Sequence, residues 1–162
     1  MSNCQSEEER IKTAELIRPI LRGRDIKRYG YEWANLWIIN THNGIKGKLP
    51  RIDVNEYPAI KAHLDQYWDK ISKRADKGDT PYNLRNCAYM EDFCKQQIVW
   101  IELSDNPKFA LTQNIISANT VFFLTGEHIL HLLGLLNSKL ITWYFRHCIG
   151  TTSGVGTNRW LK

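Results

Sequence analysis

The spacing of apolar residues predicts three helices in this chain. The segment Tyr57–Ala75 is predicted to form an amphipathic helix, because its apolar residues repeat every three to four positions and Pro58 lies near its start. Glu127–His147 carries leucines at many positions, which predicts a long helix buried on more than one side. Near the N-terminus, Ser6 and Glu9 have the spacing of a capping box, which predicts a short polar helix through about Leu16.

Short runs rich in β-branched and aromatic residues predict the strands. These runs are Trp33–Thr41, Ile98–Leu103, Phe109–Thr112 and Val121–Thr125. The intervening segment His42–Pro50 contains two glycines and a proline, which favours a loop. Because helices and strands do not alternate strictly, we expect an α+β fold with a mixed or antiparallel sheet and packed helices.

Length and composition indicate a globular protein with one main domain. We expect a helical extension over residues 1–16 and a single domain over residues 17–162. The longest apolar stretch, Ile129–Phe145, contains His131, Asn137 and Lys139, so we expect a buried helix there and no membrane association. The four cysteines show no paired CxxC spacing and no secretory signal precedes them, which favours reduced thiols and a cytoplasmic location.

The segment Ile17–Tyr29 concentrates positive charge. It holds five cations around one glycine and one aspartate: Arg18, Arg22, Arg24, Lys27 and Arg28. We expect Gly23 to permit a tight backbone turn there. The net charge is +5 at pH 7, which favours an acidic partner. A polyanion is one reason to keep such charges together, and a solvated helix face is the alternative.

Catalytic and metal-binding patterns are weak. Gly154 and Gly156 lack the third glycine of a dinucleotide-binding loop, and Gly44–Lys48 lacks the spacing of a P-loop. His128 and His131 have no complementary cysteine or carboxylate for a zinc site. His147 and Cys148 are neighbours, which rarely face each other on a helix. We therefore expect no catalytic residue, no metal and no cofactor in this chain.

Six short motifs, in this order, resemble one protein family. They are P-I-L-R-G-R-D-I-K-R-Y (Pro19–Tyr29), Y-P-A-I-K-A-H-L with K-R-A-D-K-G (Tyr57–Leu64 and Lys73–Gly78), P-Y-N-L-R (Pro81–Arg85), I-V-W-I-E-L (Ile98–Leu103), N-T-V-F-F-L (Asn119–Leu124) and L-L-G-L-L-N-S-K-L (Leu132–Leu140). Together they resemble the TaqI-like C-terminal specificity domain of type II restriction–modification enzymes. The leucine-rich motif also resembles target-recognition domains of type I specificity subunits. Gln97 departs from the family pattern, which tends to have a lysine before the apolar strand.

The resemblance implies DNA binding without catalysis. In this family the specificity domain follows an N6-adenine methyltransferase domain, which supplies the S-adenosylmethionine pocket. The specificity domain grips the duplex and reads base edges while the target adenine is flipped out. The resemblance therefore implies double-stranded DNA and a methyltransferase domain of the same polypeptide as partners. The parent would be a site-specific adenine methyltransferase with or without endonuclease activity, and this chain would be its specificity domain or the end of a truncated protein.

Residue chemistry and the resemblance together give a set of candidate DNA contacts. Arginine forks suit phosphate oxygens and guanine edges, and amides suit base edges. The predicted contacts are Arg22, Arg24, Lys27, Arg28, Tyr29, Lys46, Lys48, Arg51, Arg74, Lys77, Tyr82, Asn83, Arg85, Asn86, Ser153, Asn158 and Arg159. Ser153 lies in the glycine-rich segment Gly150–Gly156, which we expect to be flexible. Trp100 and the leucines of Leu132–Leu140 are expected in the core. Trp33 is also expected there, with stacking or hydrogen bonding at the DNA surface as the alternative. Asn137 is expected to satisfy backbone groups.

Two other functions remain open at this stage. The leucine-rich helix and the tryptophans could form a subunit interface in a protein-interaction domain that does not touch nucleic acid. An autonomous nuclease is disfavoured, because Glu102 and Asp105 lack the lysine pattern of common nucleases. Salt dependence separates DNA recognition from protein interaction, since DNA binding weakens steeply as salt is added and binding through an apolar interface does not.

Overall fold

The structure is a computed structural model that describes residues 4–102, 104 and 106–148, and only the backbone of Leu103 and of residues 159–160. The chain forms two compact units. The first unit comprises Met1–Arg18 and Trp37–Met90, and the second comprises Pro19–Leu36 and Glu91–Lys162. The predicted division into an extension over residues 1–16 and a domain from residue 17 stays a prediction.

The described part of the first unit contains three α-helices and a small apolar core. Helix α1 spans Glu7–Leu16, strand β1 (Ile17–Leu21) begins here, and strand β2 spans Trp37–Ile39. Helices α2 (Pro58–Asp65) and α3 (Trp68–Ile71) follow. The core residues are Leu16, Val54, Tyr57 and Ile60.

Helix α1 begins as predicted, because the Ser6 hydroxyl accepts a hydrogen bond from the Glu9 backbone N–H at 3.1 Å. The predicted helix over residues 57–75 is wrong in its length. Pro58 does start it, but the helix ends at Asp65, a short second helix covers Trp68–Ile71, and Tyr67 between them has non-helical backbone angles. Ile60 is buried, whereas Trp68 is exposed. The apolar face of the predicted helix is therefore buried near its N-terminal end and exposed farther along.

The predicted strand Trp33–Thr41 is also too long, since only Trp37–Ile39 pairs as a strand. Asn35 has a φ of 55°, which interrupts an extended backbone. The indole of Trp33 donates to the Leu36 carbonyl at 3.2 Å, and its ring is exposed, so the expectation that Trp33 belongs to the core is wrong.

The second unit is built on short strands. The end of β1 pairs in parallel with β6 (Ile116–Ser117), where Ile20 lies opposite Ile116. A second sheet has the order β5-β3-β7, formed by Gln97–Ile101 (β3), Ala110–Thr112 (β5) and Val121–Leu124 (β7). Both of its pairings are antiparallel. Strand β4 (Leu103–Ser104) pairs with β8 (Arg159–Trp160).

Two helices, α4 (Ile129–Leu136) and α5 (Lys139–Cys148), replace the single long helix predicted over Glu127–His147. The break lies at Asn137, whose buried side chain donates to the Phe109 carbonyl at 2.9 Å and to the Leu133 carbonyl at 3.2 Å. Ile129 and Leu133 are buried, but the opposite face is exposed at Leu130 and Leu140. The expected burial on several sides is therefore wrong.

The described residues form an α+β fold with one sheet that contains a parallel pair and one antiparallel sheet, which confirms the predicted α+β fold class. Each unit has its own apolar core, and the second unit has two clusters. One surrounds Leu21 and Val99, and the other surrounds Ile98 and Phe109. No helix among the described residues is long and apolar enough to cross a membrane.

Candidate nucleic-acid interface

The lysine hairpin of the first unit, residues 45–49, presents two predicted contacts. Ile45 and Leu49 exchange backbone hydrogen bonds of 2.8 and 2.9 Å, so Lys46, Gly47 and Lys48 form the tip. Gly47 has a φ of 77°, a conformation that glycine adopts without strain. Both lysines are exposed, and the tight backbone pairing beneath them holds two positive charges close together.

A cleft of about 850 Å³ lies beside this hairpin. Its lining includes the hairpin, Arg51, Asp79 and the segment from Asn86 to Ala88. Gly44 at its base has a φ of 77°, and a Cβ there would lie 2.5 Å from the Leu49 carbonyl oxygen. A residue with a side chain would therefore clash with the hairpin backbone at position 44, so glycine is required there.

Asn43 ties together the loops that line the cleft. Its amide nitrogen donates to Asp79 Oδ1 at 2.9 Å and to Asn86 Oδ1 at 2.6 Å, and its oxygen accepts from the Asp79 backbone N–H at 2.9 Å. Asp79 in turn lies 3.6 Å from the Arg51 guanidinium. Arg51 and Asn86, both predicted contacts, are exposed. They are linked to each other through the polar contacts of Asn43 and Asp79.

His42 precedes this network and adds a group that titrates near neutral pH. Its Nδ1 accepts a hydrogen bond from the Gly44 backbone N–H at 3.2 Å, which requires an unprotonated nitrogen. Burial lowers the pKa of His42 below its ordinary value of 6.5.

Asn83 and Arg74 support the cleft from within. The Asn83 side chain is buried and donates to the carbonyls of Ile52, His42 and Thr41 at 3.0, 3.3 and 3.4 Å. Arg74 is half-buried and donates to the Asn83 carbonyl. Because Asn83 and Arg74 hold loop backbones together, a DNA base could bond to either side chain only if these loops rearranged.

The other predicted contacts of the first unit have protein partners. The Tyr82 hydroxyl donates to Asp65 at 2.5 Å, and this bond raises the pKa of the tyrosine. Lys77 donates to the Ser72 carbonyl at 2.9 Å just after α3. Arg85 lies 3.6 Å from Asp76, with both side chains exposed to solvent.

In the second unit, the segment 22–25 forms a compact turn stabilised by one ion pair. Arg22 donates two hydrogen bonds to Asp25, of 2.7 and 2.9 Å, and the Asp25 side chain is 11% exposed. The hydrogen bonds from Arg22 hold the pKa of Asp25 below its usual range. Gly23 is required because a Cβ would lie 2.6 Å from Ile101 Cγ2, and its φ is not left-handed, so close approach explains the glycine.

The remaining cations of this segment differ from Arg22. Arg24 is exposed, and Lys27 lies 3.3 Å from Glu32 with its side chain half exposed. The Arg28 guanidinium donates to the Asn137 carbonyl and lies 5.4 Å from the Tyr29 ring centroid. The four cations from Arg22 to Arg28 are thus divided between internal partners and solvent.

The remaining predictions concern residues near the C-terminus, Gln97 and metal binding. Ser153 and Asn158 lie outside the described residues, as does the glycine-rich segment expected to be flexible, and Arg159 is described only as backbone paired with Ser104. Gln97 is fully buried and donates to the Ile115 carbonyl at 3.2 Å, so it offers no phosphate contact. Within the described ranges, no three histidine, cysteine, aspartate or glutamate side chains form a metal-binding group.

Sequence reasoning missed two features of these surfaces. Asn43 was placed in a loop without a role, although its position before Gly44 in H-N-G is typical of a turn whose side chain bonds neighbouring backbone. The left-handed backbone of Tyr29, with a φ of 70°, has no sequence signal, because tyrosine seldom adopts it.

A comparison with known protein families identifies the chain's relatives. Residues 18–157 match the family described as the TaqI-like C-terminal specificity domain, which covers most of the chain. The match includes two basic surfaces, namely the lysine hairpin with its cleft in the first unit and the segment 22–28 in the second. That family supports a DNA-recognition role in restriction–modification enzymes. The chain belongs to the family of TaqI-like C-terminal specificity domains.

Proposed function

We propose that this chain is a sequence-specific DNA-binding target-recognition domain. It positions duplex DNA for a separate N6-adenine methyltransferase domain of the same polypeptide. The observation that carries the proposal is the exposed lysine hairpin beside a cleft lined by Arg51 and Asn86, in a member of a specificity-domain family. Cations that contact phosphates supply affinity, and side chains beside them reach base edges.

Lys46 and Lys48 are the proposed phosphate contacts of the first unit. Both lysines are exposed at the three-residue tip of the hairpin, where backbone hydrogen bonds between Ile45 and Leu49 hold them close together in the chain. Each phosphate that they neutralise releases condensed counterions, so binding becomes dependent on salt.

Arg51 and Asn86 are the proposed base-reading residues. The Asn86 oxygen accepts from Asn43, so the amide presents its two N–H donors to a ligand. The Arg51 guanidinium likewise offers only donors. Acceptor atoms in the major groove, such as guanine O6 and N7, match this pair best.

S-adenosylmethionine would be held by the methyltransferase domain. The cleft of this chain fits that cofactor poorly, because a sulfonium cation would meet three cations, Lys46, Lys48 and Arg51, against the single carboxylate among the described lining residues, that of Asp79, which already pairs with Arg51. We assign no catalytic step to this chain.

A second candidate function is subunit assembly through helices α4 and α5. Five apolar or aromatic residues there are at least half exposed: Leu130, Leu135, Leu140, Trp143 and Tyr144. Exposed apolar patches of this kind are typical of protein interfaces. Replacing Leu130 and Leu140 by aspartate would abolish self-association or partner binding in this case and leave DNA affinity unchanged.

The proposed function is tested by titrating the full chain with random-sequence duplex DNA at several salt concentrations. The variant Lys46→Ala/Lys48→Ala is compared with Lys70→Ala/Lys73→Ala, which removes the same charge from exposed positions in and after α3. We expect a steep loss of affinity with salt, and a slope reduced by about 2 in the hairpin variant alone. Absence of DNA binding by the wild-type chain at low salt would contradict the proposal.

A further inference from the structure

Tyr29 combines a strained backbone with a half-exposed ring. Its φ of 70° places a bulky residue in the left-handed region, and its side chain is 50% exposed. Such a conformation costs about 1–3 kcal/mol and persists only where the surrounding structure enforces it. No burial of the ring compensates for this cost, so the stability of the fold does not explain the tyrosine.

The backbone of Tyr29 is anchored to a neighbouring strand. Its N–H donates to the Phe109 carbonyl at 2.8 Å, next to the fully buried Ala110. In the same turn, the Lys27 N–H donates to the Gly30 carbonyl at 2.8 Å. The exposed ring therefore projects from a turn fixed to the edge of a buried strand.

Asn137 and Arg28 extend this support to helix α4. The Asn137 amide bonds both the carbonyl and, at 3.3 Å, the N–H of Phe109, the residue that anchors Tyr29. Arg28 donates to the Asn137 carbonyl while its guanidinium lies over the tyrosine ring. One donor group of the arginine thus bonds the protein itself, and the guanidinium supports the ring through a cation–π contact.

We propose that Tyr29 inserts between adjacent base pairs of bound DNA, with Arg28 and Asn137 as its positioning residues. The inference rests on the proposed function and assigns a wedge to the second unit. Side chains that wedge between base steps unstack them locally, and aromatic rings recover stacking with the exposed bases. Arg24, which lies between Arg22 and Asp25, and Lys27, two residues after Asp25, are both exposed and supply neighbouring cations for phosphates.

Photocross-linking of the full chain to DNA tests this inference. The probe is random-sequence duplex with 5-iodouracil replacing part of the thymine, because this base cross-links to aromatic rings that stack on it. The variants are Tyr29→Phe, which keeps the ring, and Tyr29→Gly, which adopts a positive φ without strain. Tyr67→Ala, a similarly exposed tyrosine of the first unit, is the control.

We expect cross-links at Tyr29 and retained binding by Tyr29→Phe. Tyr29→Gly should bind about 5- to 150-fold more weakly with an unchanged salt slope, since stacking and not charge is lost. Duplex containing 2-aminopurine should brighten on binding wild-type protein more than on binding Tyr29→Gly, because unstacking relieves quenching. Wild-type affinity of Tyr29→Gly, or cross-links only elsewhere, would overturn the wedge while leaving DNA binding intact. Failure of the wild type to bind would instead overturn the proposed function.

Discussion

Arg22 and Arg24 are separated by one glycine, yet their surroundings differ. Arg22 makes a bidentate ion pair, with two hydrogen bonds, to the mostly buried Asp25, whereas Arg24 is exposed. Charge-assisted pairs of this geometry are among the stronger hydrogen bonds in proteins. Of the two arginines, Arg22 is thus suited to stabilise the turn and Arg24 to contact DNA.

Single substitutions separate these roles. We expect Arg24→Ala to reduce the slope of log affinity against log salt by about 1 without changing the unfolding temperature, because one phosphate contact is lost. Arg22→Ala should lower the unfolding temperature, since Asp25 then lacks its partner. Thermal unfolding and salt titration measure the two effects. An unfolding temperature unchanged in Arg22→Ala would contradict the structural role.

His42 predicts a pH dependence of stability near neutrality. Its pKa is lowered in the folded chain by burial, so the unfolded chain binds the proton first. The contribution of His42 to the free energy of unfolding is fully present above about pH 6.5 and is lost as the pH falls toward the folded pKa. Protonation also removes the acceptor for the Gly44 N–H.

Urea unfolding at about pH 7.5 and about pH 5.5 measures this change in the titration range of histidine. His42→Asn is the control, because its side-chain oxygen accepts hydrogen bonds at both pH values. Asp25 and Asp65 have pKa values lowered below 3.8, so they titrate outside this range. Equal pH dependence in the variant and the wild type would exclude His42 as its source.

At the scale of elements, the lysine hairpin depends on two glycines with the same backbone angle. Gly44 and Gly47 both have a φ of 77°, but a Cβ at Gly44 would collide with backbone and one at Gly47 would meet open space. A side chain at position 47 would therefore cause backbone strain alone, whereas one at position 44 would cause the same strain and a steric clash.

We expect Gly47→Ala to cost about 1–2 kcal/mol of unfolding free energy, the ordinary cost of left-handed backbone. Gly44→Ala should cost more and should also weaken DNA binding, because the hairpin must move to relieve the clash. Denaturant unfolding of both variants gives the comparison. Equal losses at the two positions would show that the contact with the Leu49 carbonyl has no effect.

Local signals predicted element types better than element lengths. Ser6 with Glu9 and Pro58 marked helix starts correctly, because capping depends on residues close in sequence. The helix over 127–147 was predicted unbroken because leucines continue through it, whereas Asn137 breaks it by bonding Phe109, a residue distant in sequence. The role expected for Asn137, satisfying backbone groups, is confirmed.

The candidate site was predictable in its chemistry and less so in its geometry. Lys46, Lys48 and Arg51 were found because loop cations are visible in a sequence, and the structure brings them to one cleft. Asn83 was included as a base reader, but tertiary contacts bury it. No sequence pattern shows which polar residue of a loop turns inward.

At the scale of the whole molecule, the family match and the two basic surfaces point to one activity. Each unit has its own core and its own exposed cations, with Lys46 and Lys48 on the first and Arg24 on the second. Several separate phosphate contacts produce a steep salt dependence, and a few base contacts give sequence preference. A specificity domain requires both.

Selection from a pool of random duplexes tests the central claim most directly. After several rounds with the full chain at moderate salt, we expect one short sequence to be enriched, containing guanine at the positions read by Arg51 and Asn86. The pair of variants Arg51→Ala and Asn86→Ala should relax the preference at separate positions, each at a cost of about 1–3 kcal/mol for the original base. DNA binding without any enriched sequence would contradict the assignment of this chain as a specificity domain.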